Sequence, residues 1–231
     1  MRFLLTDWKR GFTEPRFFLA MAISLGCVGI SLCVTLQSGI TDGYGLFTQS
    51  HSLILPFCAP LLCALPYSNM QMREADTGFD RLMALRCKHK SWLFRRFITN
   101  GFISGVTGVM GGATLLAVSL LWDTTACTTE IYQVLGLNFI FGVAFGSLSY
   151  GLCFVNTQRY IPLIAPQVGY LFAMYACPTL RLNQYFPPLA FAPWILPSMF
   201  DLTNMVTLLL GLTAVGFGLT VIGQVRKAVG V

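Results

Sequence analysis

Ten of the 24 charged side chains of this chain crowd into the segment from Arg73 to Arg96, and the long charge-free stretches on either side exclude most ways in which 231 residues can fold. Hydrophobic residues make up 55% of the chain and charged residues 10%, so a water-soluble domain would lack the polar surface needed to cover itself. A membrane-spanning helix needs about 20 consecutive apolar residues. Six stretches meet that need: Phe17 to Gln37, Ser52 to Met72, Phe97 to Trp122, Ile131 to Val155, Ile161 to Pro178, and Leu202 to Gly223. They consume most of the chain. The sequence therefore predicts an all-α polytopic membrane protein of six transmembrane helices, with residues 1–231 forming one membrane domain.

Basic residues orient the spans. An even number of crossings puts both termini on one side, which collects Arg2, Lys9, Arg10 and Arg16, the island bases from Arg73 to Arg96, Arg159, Arg226 and Lys227. Arg181 alone falls opposite, where Asp42, Asp123, Glu130 and Asp201 also lie. The positive-inside rule then makes both termini cytoplasmic. The net charge of +6 is topological on this reading. Nucleic acid is not an expected partner, because a basic face interleaved with exposed aromatics is missing.

The first span reads as a retained helix, since its apolar run is too long for a signal-peptide core and no small-x-small cleavage pattern follows it. The cysteines read as structural. Cys27, Cys33, Cys58, Cys63, Cys153 and Cys177 lie in or at the ends of spans, where Cys packs as a small hydrophobe, and no spacing suggests a metal. Cys87 belongs to the cytoplasmic loop. Cys127 lies in an outer loop, which leaves a disulfide to Cys177 open as an alternative to two free thiols.

Residues 1–16 have a periodicity of their own. Met1, Leu4, Leu5, Trp8 and Phe12 recur at three- and four-residue steps, with Arg2, Thr6, Asp7, Lys9 and Arg10 on the other face. This pattern predicts a helix lying in the membrane interface, which Glu14-Pro15 turns into the bilayer. It can be a surface anchor or a lever for a cytoplasmic partner.

No Asp, Glu, Lys or Arg interrupts the six spans, and the two histidines fall at a span end, His51, and in the charged loop, His89. An ion-coupled transporter normally needs an ionisable group within the membrane. Small residues stand in place of charge: Gly101, Gly105, Gly108 and Gly112 in span three and Gly142 and Gly146 in span four keep spacings that let helices approach closely. They serve packing within one bundle or a sliding or dimer interface. Pro56, Pro60 and Pro66 in span two and Pro162 and Pro166 in span five predict kinks. Residues 179–201 are apolar, aromatic and broken by Pro187, Pro188, Pro193 and Pro197, so they read as an outer re-entrant or interfacial element rather than a solvated loop.

The island of residues 73–96 opens with Arg73, Glu74, Asp76 and Asp80 and continues through Arg81 and Arg86, so acids precede bases along a short expected helix, as the macrodipole favours. Phe79, Leu82, Met83 and Leu85 give that helix an apolar stripe. The island either fixes topology or docks a partner.

The order of elements resembles the permease subunit of ABC-2 type transporters: a cytoplasmic interface helix, six spans, a cytoplasmic coupling helix between spans two and three, and an outer re-entrant element between spans five and six. The loop is similar to that family's Glu-x-x-x-Gly pattern in Glu74 and Gly78, followed by Phe79, Leu82 and Arg86 and a basic approach to span three through Arg95 and Arg96. A second likeness runs from Phe145 to Tyr170 through Asn156-Thr157-Gln158-Arg159-Tyr160. Where the family often has Pro after the charged helix and Lys before span three, this chain has Cys87-Lys88-His89-Lys90 and Arg96.

The resemblance implies a transport subunit rather than an enzyme, multi-pass in a bacterial plasma membrane. It also implies two permease copies, identical or related, around a path, with separate ATPase subunits holding ATP and Mg docked beneath. No GxxxxGK[ST] loop occurs in the chain, so no cofactor is expected on it. The implied contact with the ATPase is Glu74, Gly78, Phe79, Leu82 and Arg86, supported by Trp8 and Phe12. Spans without charge suit an apolar or amphipathic cargo such as a lipid, a hydrophobic peptide or a drug, and small members of the family often export antimicrobial peptides. The alternatives are a non-catalytic scaffold that recruits a cytoplasmic partner and an ATP-independent transporter. A membrane-embedded enzyme would need clustered His, Asp, Glu or Ser–His pairs, and the spans have none.

Overall fold

The computed structural model describes residues 2–40, 42–66, 70–78, 89–123, 128–156 and 158–229, and every regular element among them is helical. The expected interface helix is α1 (Arg2–Thr13). Thr13 ends it by donating its hydroxyl to Lys9 O at 2.8 Å, and Glu14 is extended ahead of Pro15, as the residue before a proline prefers. Pro15 then occupies the first turn of α2 (Pro15–Gln37), where its missing N–H costs nothing. The stripe that α2 buries is mostly small: Ala20, Ser24, Cys27, Ser31 and Thr35 at helical spacing. Phe18, Leu19, Ile23, Ile30 and Val34 face outward, an arrangement water would penalise and lipid does not.

Five helices are long and apolar enough to cross a membrane: α2, most of α6 (His89–Trp122), α7 (Thr129–Val155), α8 (Ile161–Thr179) and most of α9 (Leu202–Val229). The chain is a helical, multi-pass membrane protein. The stretch expected to cross as one helix from Ser52 to Met72 is built differently. It starts earlier, as α3 (Gly43–Leu53), because the Asp42 carboxylate accepts from Gly45 N–H at 2.8 Å and caps the helix. At Ile54 it bends by 62° into α4 (Leu55–Ala64). Pro56 and Pro60 withdraw donors from the ladder at this break. The damage is repaired from α8, where Gln167 Oε1 accepts from Leu61 N–H at 3.1 Å and its Nε2 donates to Phe57 O at 2.7 Å. Those two backbone groups would pair with each other in an unbroken helix.

The central post is α7, which contacts α4, α6, α8 and α9. Its approach to α6 is close enough that a Cβ on Gly142 would stand 2.3 Å from Ser104 O, and one on Gly108 2.6 Å from Asn138 O. Gly101, Gly105, Gly112 and Gly146 also turn to this contact, so the six glycines singled out in the sequence all lie within the chain's own bundle. A second set joins α7 to α9, where a Cβ on Gly151 would meet Gly216 O at 2.3 Å.

Residues 179–201 form four 3-10 turns, Asn183–Tyr185, Pro187–Ala190, Pro193–Ile195 and Pro197–Met199, three of them opened by a proline. The middle of the segment, from Leu189 to Ala192, is buried against the bundle.

The island also departs from its expected form. Instead of one helix starting at Arg73, α5 (Met70–Asp76) runs earlier and stops before Gly78, whose φ of +70° lies in the left-handed region that favours glycine. Glu74 and Asp76 therefore sit in the last turns of a helix, where the macrodipole disfavours acids, and the expected dipole match is replaced by direct pairing with bases. Residues 79–88, with Phe79, Leu82, Arg86 and Cys87, lie outside the described residues.

Candidate functional site

Of the sequence-derived coupling residues, Trp8, Phe12, Glu74 and Gly78 lie among the described residues, and they sit at the charged end of the bundle. Glu74 is 4% exposed and Arg96, in the first turns of α6, is 1% exposed. Arg96 Nη1 donates to Glu74 Oε2, and Arg10 Nη1 of α1 stands 3.0 Å from Glu74 Oε1. One buried carboxylate thus ties α1, α5 and α6 together. Around it Arg73 pairs with Glu14, and Arg159, ahead of α8, donates to Asp76 Oδ2 at 2.6 Å. Burial pushes the Asp7 carboxyl above its ordinary range; Arg96 and Arg10 pull it back, and Glu74 adds to the rise.

Trp8 and Phe12 form the apolar side of the same junction. Trp8 stacks on Phe102 of α6 with ring centres 4.6 Å apart and planes 4° from parallel, and Phe12 meets Phe17 edge-on at 5.1 Å. Both aromatics point into the protein and hold α1 against α2 and α6. Glu74 likewise turns inward, while Gly78 ends α5 at the edge of the platform. A partner reaching this surface would sense Glu74 through the placement of α5 rather than by touching its carboxylate.

At the other end of the bundle His51 lies fully buried in the middle of the bent pair, although the sequence places it at a span end. Its ring is sandwiched between Phe47 at 5.4 Å and Phe191 at 4.9 Å, with Trp194 edge-on at 5.7 Å. The side-chain amide of Asn138 on α7 and His51 Nε2 are hydrogen-bonded across 2.9 Å. The stack fastens the proline-rich segment to α3. No group of three or more His, Cys, Asp or Glu side chains among the described residues could hold a metal ion. Cys177 is a free thiol directed at Tyr185 O, and Cys127 lies outside the described residues.

Several of these residues carried little signal in the sequence. Asn100, Asn138 and Gln167 are single amides in apolar runs, and each proves to join two helices, Asn100 by donating to Gly146 O at 2.8 Å. A lone amide inside a span is the cue that finds them, because in lipid it needs an internal partner. No family model, curated protein or solved structure matches the chain.

Proposed function

We propose that this chain is the transmembrane subunit of an ATP-driven exporter of the ABC-2 type, carrying an amphipathic or hydrophobic cargo with energy from a separate ATPase. The observation that supports it best is the junction at the charged end. An amphipathic helix, α1, and a short loop helix, α5, are both fastened to the start of α6 through Glu74, so a push on either is transmitted to a spanning helix. No phosphate loop occurs in these 231 residues, and on this reading the push comes from a separate ATPase subunit. On this reading the bent pair counts as one crossing, which makes six spans, both termini and the charged end face the cytoplasm of a bacterium, and the 3-10 turns form an outer re-entrant element. Two copies, or this chain with a related one, would enclose the path.

Affinity purification of the tagged chain from native membranes tests the engine. A P-loop ATPase should co-purify, and replacing Phe79 and Leu82 together with Ala should weaken that association at least tenfold while the bundle stays folded, since losing an apolar anchor at an interface centre typically costs about 2 kcal/mol. Recovery of the chain alone, with transport driven by an ion gradient, refutes the reading; undiminished ATPase binding by the double variant moves the contact elsewhere. Orientation is tested separately. A membrane-impermeant thiol reagent applied to intact cells should modify Cys127 and spare Cys87, and the opposite pattern would invert the topology.

A further inference from the structure

A cavity of about 400 Å³ opens where α3, α7, the start of α9 and the 3-10 segment meet, at the end of the bundle away from the charged platform. That volume falls in the range of small-molecule sites, about 300–1,000 Å³. Its walls are largely apolar and aromatic: Tyr44 from α3, Leu137 from α7, and Trp194 and Phe200 from the 3-10 segment. One ionised group stands among them, Glu130 in the first turn of α7, and no basic residue lines the cavity. The Tyr44 hydroxyl donates to Glu130 Oε2 at 2.9 Å, which steadies the carboxylate of this exposed residue at the cavity. Among the described residues no cation pairs with it.

The aromatic wall is held in place from behind. Trp194 lies edge-on to His51 and to Phe47, each at 5.7 Å, so the buried stack that anchors the proline-rich segment also fixes the indole at the cavity. A fixed carboxylate beside Tyr, Trp and Phe rings is the combination that recognises an organic cation, because the rings attract positive charge through their faces while accepting an apolar body. A simple metal ion would gain little from such walls, and an anion would be repelled.

We propose that this cavity binds an organic monocation, with its charged centre beside Glu130 and its apolar body against Trp194, Phe200 and Leu137. As a statement about cargo, a cationic amphiphile, this rests on the exporter reading; the binding itself does not. The test uses the purified full-length chain in lipid nanodiscs and two probes of the same shape and opposite charge, tetraphenylphosphonium and tetraphenylborate, with empty nanodiscs subtracted. Saturable binding of the phosphonium and not of the borate is expected. Glu130→Gln keeps an acceptor for Tyr44 and should weaken phosphonium binding at least tenfold. Trp194→Ala should weaken it severalfold, with Trp194→Phe recovering most of the loss. Saturable binding of both ions alike, no saturable phosphonium binding by the unmodified chain, or Glu130→Gln binding within twofold of it would overturn the proposal. If the chain binds the phosphonium as expected yet never associates with an ATPase, the exporter reading fails and the site stands.

Discussion

Arg96→Met should lower the stability of the purified protein by about 3–5 kcal/mol, the usual cost of removing one partner from a buried ion pair. The size follows from what remains. Glu74 is 4% exposed, so without Arg96 its carboxylate is left with Arg10, which reaches it from a half-exposed position across 3.0 Å. For a chain of this length the loss corresponds to a fall of roughly 6–20 °C in Tm, read by thermal unfolding in detergent. Glu74→Leu made together with Arg96→Met should recover a good part of it, because the Glu74 carboxylate is then no longer stranded and Asp7 keeps Arg10 as a neighbouring base. A single variant that melts within about a degree of the unmodified protein would mean that water reaches the pair and that the junction is a surface one. Recovery in the double variant also separates stability from coupling. On the exporter reading it should fold and assemble with the ATPase, yet transport poorly, since α5 would no longer be clamped to both α1 and α6.

That clamp was only half legible in the sequence. The island marked the charged end, and the spacing of Trp8 and Phe12 marked one face of α1, because amphipathic periodicity is a local property. Which base would meet Glu74 was not local: Arg10, Arg96 and Glu74 come from three helices, and nothing in their spacing announces the meeting. The five continuous spans could be read because apolar length alone decides them. The bent pair could not, since its prolines predict a kink while its position depends on the Asp42 cap and on Gln167 arriving from α8 to bridge Phe57 and Leu61. His51 was misplaced for a related reason. A histidine near an apolar boundary looks solvated until Asn138 and three aromatic rings from distant segments close around it.

Gly142→Ala should disrupt the bundle outright, and a neighbouring substitution on the same helix shows why the effect is steric. The added methyl would lie 2.3 Å from Ser104 O and 2.9 Å from Gly105 Cα, so both obstacles are backbone and neither can rotate away. Either α6 and α7 separate or the residue distorts, and overpacking that moves backbone costs about 1–3 kcal/mol and occasionally more. Here the contact joins α6 to the central helix α7 with backbone on both sides, which places the expected loss at or above the top of that range. Gly136→Ala, with open space around its Cβ position, should instead gain up to about 1 kcal/mol from helix propensity alone. A third variant makes the distinction sharper. At Gly146 the obstacle is the Ser104 side chain, with Oγ at 2.1 Å and Cβ at 2.2 Å, so Gly146→Ala should be damaging alone and largely repaired by Ser104→Gly. Ser104→Gly should give no such repair to Gly142→Ala, because the carbonyl it meets remains. Monodisperse yield and Tm of the five proteins decide the matter: a Gly142→Ala variant that behaves like Gly136→Ala would show that α6 and α7 do not pack at this distance.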